Sequence, residues 1–137
     1  MNKITKLALA LSVLTSVVGC QLVSNTPMQS TATKGIIEKA KAEFDGQRFY
    51  KLNEYDQEIN VSDDGGVITF KSYLPRSGGY EWVPIVIRDT SFRVSCDYFS
   101  EYVEAGMVVQ VQFVGKRGRI ENYDKQRCEE FGEPTWQ

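Results

Sequence analysis

The spacing of apolar positions divides the chain into three parts. Residues 7–18 are apolar apart from Ser12, Thr15 and Ser16, and two lysines, Lys3 and Lys6, precede them. Residues 21–33 are polar, with Ser24, Asn25, Thr26, Pro27, Gln29, Ser30 and Thr31 among them. From residue 34 onward, short apolar patterns alternate with glycine-rich breaks, as a folded domain requires.

Within that domain the patterns predict a definite order of elements. Ile36, Ile37, Ala40 and Phe44 recur at helical spacing, with Glu38, Lys39, Lys41 and Glu43 on the other side. A helix over 33–44 follows, with Thr33 as N-cap and Gly46 as stop. Residues 48–55 form a candidate strand that 57–61 continues or pairs with. Ser62-Asp63-Asp64-Gly65-Gly66 is a turn, and 67–74 returns as a strand. After the loop 75–79, the alternation of Val83, Ile85 and Ile87 predicts a strand over 80–87, with Pro84 at an edge or bulge. Cys96, Phe99 and Val103 share one face of a short helix over 95–105, ended by Gly106. Met107, Val109, Val111 and Phe113 alternate with Gln110 and Gln112 in the clearest strand, 107–114. Gly115-Lys116-Arg117-Gly118 then makes a tight hairpin with 119–123. This order predicts an α+β fold: a mostly antiparallel sheet with the N-terminal helix packed on one face and one disulfide.

The N-terminal segment carries the most specific chemistry. Val17-Val18-Gly19-Cys20 closes the apolar run as a bacterial lipobox does. A largely apolar run of twelve residues, 7–18, is too short to span a ~30 Å hydrocarbon core and suits a signal peptide. The other reading is a plain secretory signal containing a cysteine. On the lipobox reading residues 1–19 are removed, Cys20 is lipidated, and residues 20–33 tether a single domain over 34–137. The thirteen residues 21–33 reach at most roughly 40 Å when extended. Gln21 rather than Asp follows Cys20, which fits an outer-membrane address facing the periplasm. Lipidation with more than one chain makes such an anchor effectively permanent.

Composition narrows the function classes. Removing 1–19 from 137 residues leaves 118, enough for one cored domain. The full chain has 16 basic and 18 acidic residues; loss of Lys3 and Lys6 leaves 14 against 18, a net charge of −4. That balance argues against nucleic acid as a partner. Histidine is absent, which excludes Ser-His-Asp and Cys-His catalysis as usually built and His-containing zinc sites. No cofactor is expected. With Cys20 assigned to lipid, Cys96 and Cys128 remain, and an oxidising compartment favours a disulfide over two thiols or a metal pair. Closing a loop of about 33 residues stabilises by ~3–4 kcal/mol in the chain-entropy account.

Several clusters have both a functional and a plain structural reading. Ile36, Ile37 and Phe44 on the helix and Val109 and Phe113 on the strand either pack together or line a groove for a peptide. Tyr80 and Trp82, with Trp136, either form an aromatic binding patch or divide between core and rim. Glu101 and Glu104 near Tyr98 and Tyr102 could serve as an acid–base pair, or face solvent. Asp63 and Asp64 lack the ligand spacing of a calcium loop and read as a turn. Lys116, Arg117 and Arg119 read as a solvated hairpin tip or a contact for an acidic partner.

One segment resembles a family. Between Cys96 and Cys128 lie Tyr102-Val103-Glu104-Ala105-Gly106, an alternating strand, Gly118 and the return to the second cysteine. This spacing is similar to the C-terminal half of the AspS-type (GspS-β) pilotins of type II secretion, small outer-membrane lipoproteins with a cysteine pair. The resemblance implies binding of a secretin's C-terminal tail and its delivery to the outer membrane. Residues 84–95, read as strand and loop, depart from the helical character expected there. The function expected is a non-catalytic, lipid-anchored binding or assembly factor for another envelope protein or peptide segment. The alternatives are an envelope inhibitor or exclusion lipoprotein and a small carboxylate-dependent periplasmic hydrolase.

Overall fold

The computed structural model describes residues 28–51 and 54–131. Cys20, the signal and most of the expected tether lie outside them, as do Pro134 and Trp136. The sheet runs β1 (Gln47–Lys51), β2 (Glu54–Val61), β3 (Val67–Tyr73), β4 (Val108–Val114) and β5 (Ile120–Tyr123), in spatial order β1-β2-β3-β4-β5. β1/β2, β2/β3 and β4/β5 are antiparallel; β3/β4 is parallel, from Val67↔Val108 to Tyr73↔Val114. The expected α+β class with a mostly antiparallel sheet is therefore present. The segment read as one strand over 48–55 is split between β1 and β2, which pair with each other.

A parallel pair needs a long crossover, and residues 74–107 supply it. They contain α2 (Pro84–Phe92), a π-helical stretch Arg93–Tyr98 and α3 (Ser100–Glu104). The strand expected over 80–87 is thus corrected to a loop and the start of a helix. The physical reason is Pro84, which stands in the first helical turn. There its fixed φ is already helical and its missing N–H costs nothing, because that N–H has no helical acceptor. The alternation of Val83, Ile85 and Ile87 is incidental: Ile87 is buried while Val83, Ile85 and Val86 are exposed.

Every fourth residue of this crossover, Ile87, Ser91, Ser95, Phe99 and Val103, is buried. In an uninterrupted α-helix such a line would drift around the axis, since four residues exceed one turn of 3.6. The wider π turn compensates; Phe99 N–H donates to the Val94 carbonyl, five residues back, at 3.0 Å. Ser95 sits in this turn with a buried Oγ that has no hydrogen-bond partner among the described residues. Ser95→Ala is expected to raise stability by about 1 kcal/mol, because it removes an unsatisfied buried hydroxyl. Urea unfolding measures this, and a loss of stability would show that the hydroxyl is satisfied.

The sheet has one apolar and one polar face, as period-2 alternation dictates. Ile59, Val61, Ile68, Phe70, Val109, Val111, Phe113 and Tyr123 are buried. Across the opposite face Asn60, Thr69, Gln110 and Asn122 stand in register. Gln110 Nε2 donates across to Asn122 Oδ1 at 3.0 Å, and Gln112 Nε2 donates along β4 to Gln110 Oε1 at 2.6 Å. The helix α1 (Lys34–Phe44) buries Ala40 and Phe44, and the Phe44 ring meets Phe99 and Tyr102 edge-on at 5.1 and 5.4 Å. It ends where Gly46 takes φ +79° and donates its N–H to Ile59 O at 2.9 Å.

The last residues of the expected tether are held on the domain. Thr31 N–H and Ser30 Oγ both donate to the Gly106 carbonyl, at 2.9 and 3.0 Å. Gly106 has φ +98°, and a Cβ there would lie 2.5 Å from Thr31 Oγ1. At the other end of β4, a Cβ on Gly118 would lie 1.9 Å from the Phe113 carbonyl oxygen, so the tight hairpin requires glycine. Cys96 and Cys128 form the expected disulfide, with Cα atoms 5.6 Å apart. It joins the π-helical stretch to α4 (Lys125–Phe131), a helix that the apolar pattern did not indicate.

Candidate functional site

The residues proposed from sequence as a peptide groove do not form an open surface. Phe44, Val109 and Phe113 are buried in a single hydrophobic cluster, against which Ile36, Ile37 and Trp82 are partly buried. The Trp82 ring lies edge-on to Phe113 at 4.9 Å and its Nε1–H donates to the Val114 carbonyl at 3.1 Å. It latches the 75–83 loop onto the end of β4. Tyr80 is 58% exposed and lies over Gly78, where a Cβ would come within 2.6 Å of its ring.

The two carboxylates considered for acid–base work have separate lysine partners. Glu101 pairs with Lys39 of α1, and Glu104 with Lys125 of α4 at 3.1 Å. In both pairs the carboxylate's hydrogen bond and charge hold the ammonium above its usual range. Tyr102 donates its hydroxyl to Glu43 of α1. Burial first, then that hydrogen bond and the charges of Glu43 and Glu101, pushes the phenol well above the usual tyrosine range.

A folded pKa above the unfolded value means that Tyr102 contributes stability below about pH 10 and that this is lost as pH rises through the folded pKa. In an absorbance titration Tyr102 is expected to ionise only as the domain unfolds, and Tyr102→Phe should remove that late step. Ionisation near pH 10 with the fold intact would refute the burial.

One open concavity among the described residues lies at the β5 edge. It has a volume of about 360 Å³ and is built from the start of α2, strand β5 with the residue before it, and α4. Pro84, Ile85 and Arg88 come from α2, where they fall within one turn. Arg119, Glu121 and Tyr123 come from alternate positions of one strand and so share one face. Arg127 and Phe131, four residues apart on α4, complete it.

Each part is fixed by a local interaction. Asp124 caps α4: its Oδ1 accepts from the Arg127 N–H at 2.8 Å. The Arg127 guanidinium lies 4.1 Å from the Tyr123 ring centroid and donates to Glu121 Oε2 at 2.8 Å and to the Asn122 carbonyl. Glu121 also pairs with Arg119 at 3.3 Å. Tyr123 is buried, its hydroxyl 3.4 Å from Ser91 Oγ.

The sequence reading missed Arg88, Arg127 and Phe131 as neighbours. The available signals were Pro84 as a helix start, which puts Arg88 one turn on beside Ile85, and Asp124 three residues before Arg127 as an N-cap. Of the basic trio read as a hairpin tip, Lys116 and Arg117 pair with Glu81 at 3.2 and 3.3 Å, while Arg119 belongs to the groove. Among the described residues no helix is long and apolar enough to cross a membrane. No protein-family model, curated protein or solved structure matches the chain.

Proposed function

We propose that this protein is a lipid-anchored envelope factor that works by holding a segment of another envelope protein, with pilotin-like delivery of a secretion-system component as its sharpest form. The observation that carries the reading is the groove at the β5 edge, where Ile85 and Phe131 remain half exposed beside arginines. Such a cleft, apolar with a few charged groups, suits a peptide segment. The lipobox Val17-Val18-Gly19-Cys20 supplies the anchor. The pilotin resemblance calls for helical chain before Cys96, and α2 with the π-helical stretch provides it. In this reading α1 covers the same sheet face as the crossover helices; Ala40 and Phe44 in one cluster with Ile59 and Val109 support that.

The test is capture from cross-linked envelopes, using the full chain beside a Cys20→Ser variant. The full chain should fractionate with outer membranes and recover a secretin or another assembly protein, and Cys20→Ser should be released and lose that recovery. Unchanged fractionation of Cys20→Ser would overturn the anchor. Recovery of no envelope assembly protein would overturn the binding role.

A further inference from the structure

The groove is basic on a chain whose net charge is −2. Its lining holds Arg88, Arg119 and Arg127 against a single carboxylate, Glu121. Glu121 is 18% exposed and already bridges Arg119 and Arg127, whereas the Arg88 and Arg119 side chains are 63% and 51% exposed. Arg88 touches Asp89 at 3.3 Å, but that acid is only 14% exposed. What a ligand meets is therefore two largely exposed arginine side chains, Arg88 and Arg119, together with two exposed apolar ones, Ile85 and Phe131.

The backbone beside the groove is partly occupied. β5 is an edge strand, and an edge invites strand addition. Phe113 N–H donates to the Arg119 carbonyl at 2.9 Å, so ladder alternation turns the backbone groups of Ile120 and Asn122 outward. The Asn122 carbonyl, however, already accepts from Arg127. One acceptor of this edge is thus taken by a side chain of the groove itself, and the side chains of the lining carry the selectivity.

We infer that the groove takes a short acidic segment of a partner protein, with apolar residues covering Ile85 and Phe131 and Asp or Glu residues facing Arg88 and Arg119. The inference rests on the binding role proposed above and specifies the chemistry of the partner. Guanidinium–carboxylate pairs at the rim give orientation and selectivity, and apolar contact supplies the affinity.

The experiment places photo-reactive p-benzoylphenylalanine at Ile85, or at Thr69 on the polar sheet face, in the full-length protein in intact cells. The cross-linked peptides are then sequenced. Each variant is checked for the intact disulfide and for native circular dichroism. Position 85 should cross-link to a partner segment that has a net negative charge and also carries apolar residues. Arg88→Glu with Arg119→Glu should lower that yield about tenfold through like-charge repulsion. A basic or uncharged segment, a second copy of this chain, or its own residues 132–137 at position 85 would overturn the inference. So would an unchanged yield in the double variant. Cross-linking to a partner from Thr69 alone would overturn it while leaving the binding role intact; no partner at either position would overturn both.

Discussion

Phe99→Ala is expected to cost ~3–5 kcal/mol, the range for truncating a fully buried aromatic ring. Phe99 is 0% exposed and lies where three parts of the fold meet. Its ring packs edge-on to Phe44 of α1 at 5.1 Å and to Tyr98 at 4.7 Å. Its backbone closes the π turn onto Val94 and accepts the N–H groups of Tyr102 and Val103 at 3.0 Å. The cavity would open between α1 and the crossover, whose aromatic contacts run through this ring, so collapse cannot fill it cheaply. Urea unfolding at constant slope measures the cost. A loss under 1 kcal/mol would mean that the α1–crossover contact is not part of the cooperative core. Phe99→Leu, which keeps most of the buried volume, should recover more than half of the loss.

The elements legible in the sequence are those whose apolar period is local and undisturbed. Met107 to Phe113 reads as a strand because apolar residues recur at four alternate positions, and Gly115 to Gly118 reads as its turn, where a Cβ at Gly118 would meet the Phe113 carbonyl. Pro84 was ambiguous for a physical reason: one residue type serves both edge strands and first helical turns, and the alternating apolar residues around it favoured the wrong one. The parallel β3/β4 pairing was hidden with it, since only a helical crossover makes that pairing possible. α4 has no buried residue and hence no period to detect; Asp124 and the disulfide hold it. The groove was illegible because its lining comes from three separated segments, residues 84–88, 119–123 and 127–131. Each of them is unremarkable when read alone. Of the helix and strand residues singled out instead, Phe44, Val109 and Phe113 belong to the core and Ile36 packs against it.

The disulfide links that core to the groove, and its loss should therefore have two separable effects. Cys96→Ser with Cys128→Ser is expected to destabilise the domain by ~3–4 kcal/mol through the freed loop entropy and to lower Tm by roughly 10–20 °C. The bond spans 32 positions and joins the buried crossover to α4. α4 itself buries nothing and otherwise rests on the Asp124 cap, the Lys125–Glu104 pair and the Arg127 contacts with β5. The exposed Lys125–Glu104 pair contributes roughly 0.2–1 kcal/mol and the cap ~1; the Arg127–Glu121 pair, 23% and 18% exposed, is the firmest of these contacts. Below the new Tm, the sheet should thus persist while α4 exchanges its amide hydrogens faster than β4 does. Arg127 and Phe131 would leave the groove with it, so cross-linking at Ile85 should fall in the double serine variant even where circular dichroism remains native. Equal protection of α4 and β4 after loss of the bond would mean that the Arg127 contacts alone hold this wall. In that case Arg127→Ala, not cysteine replacement, would be the change that opens the site.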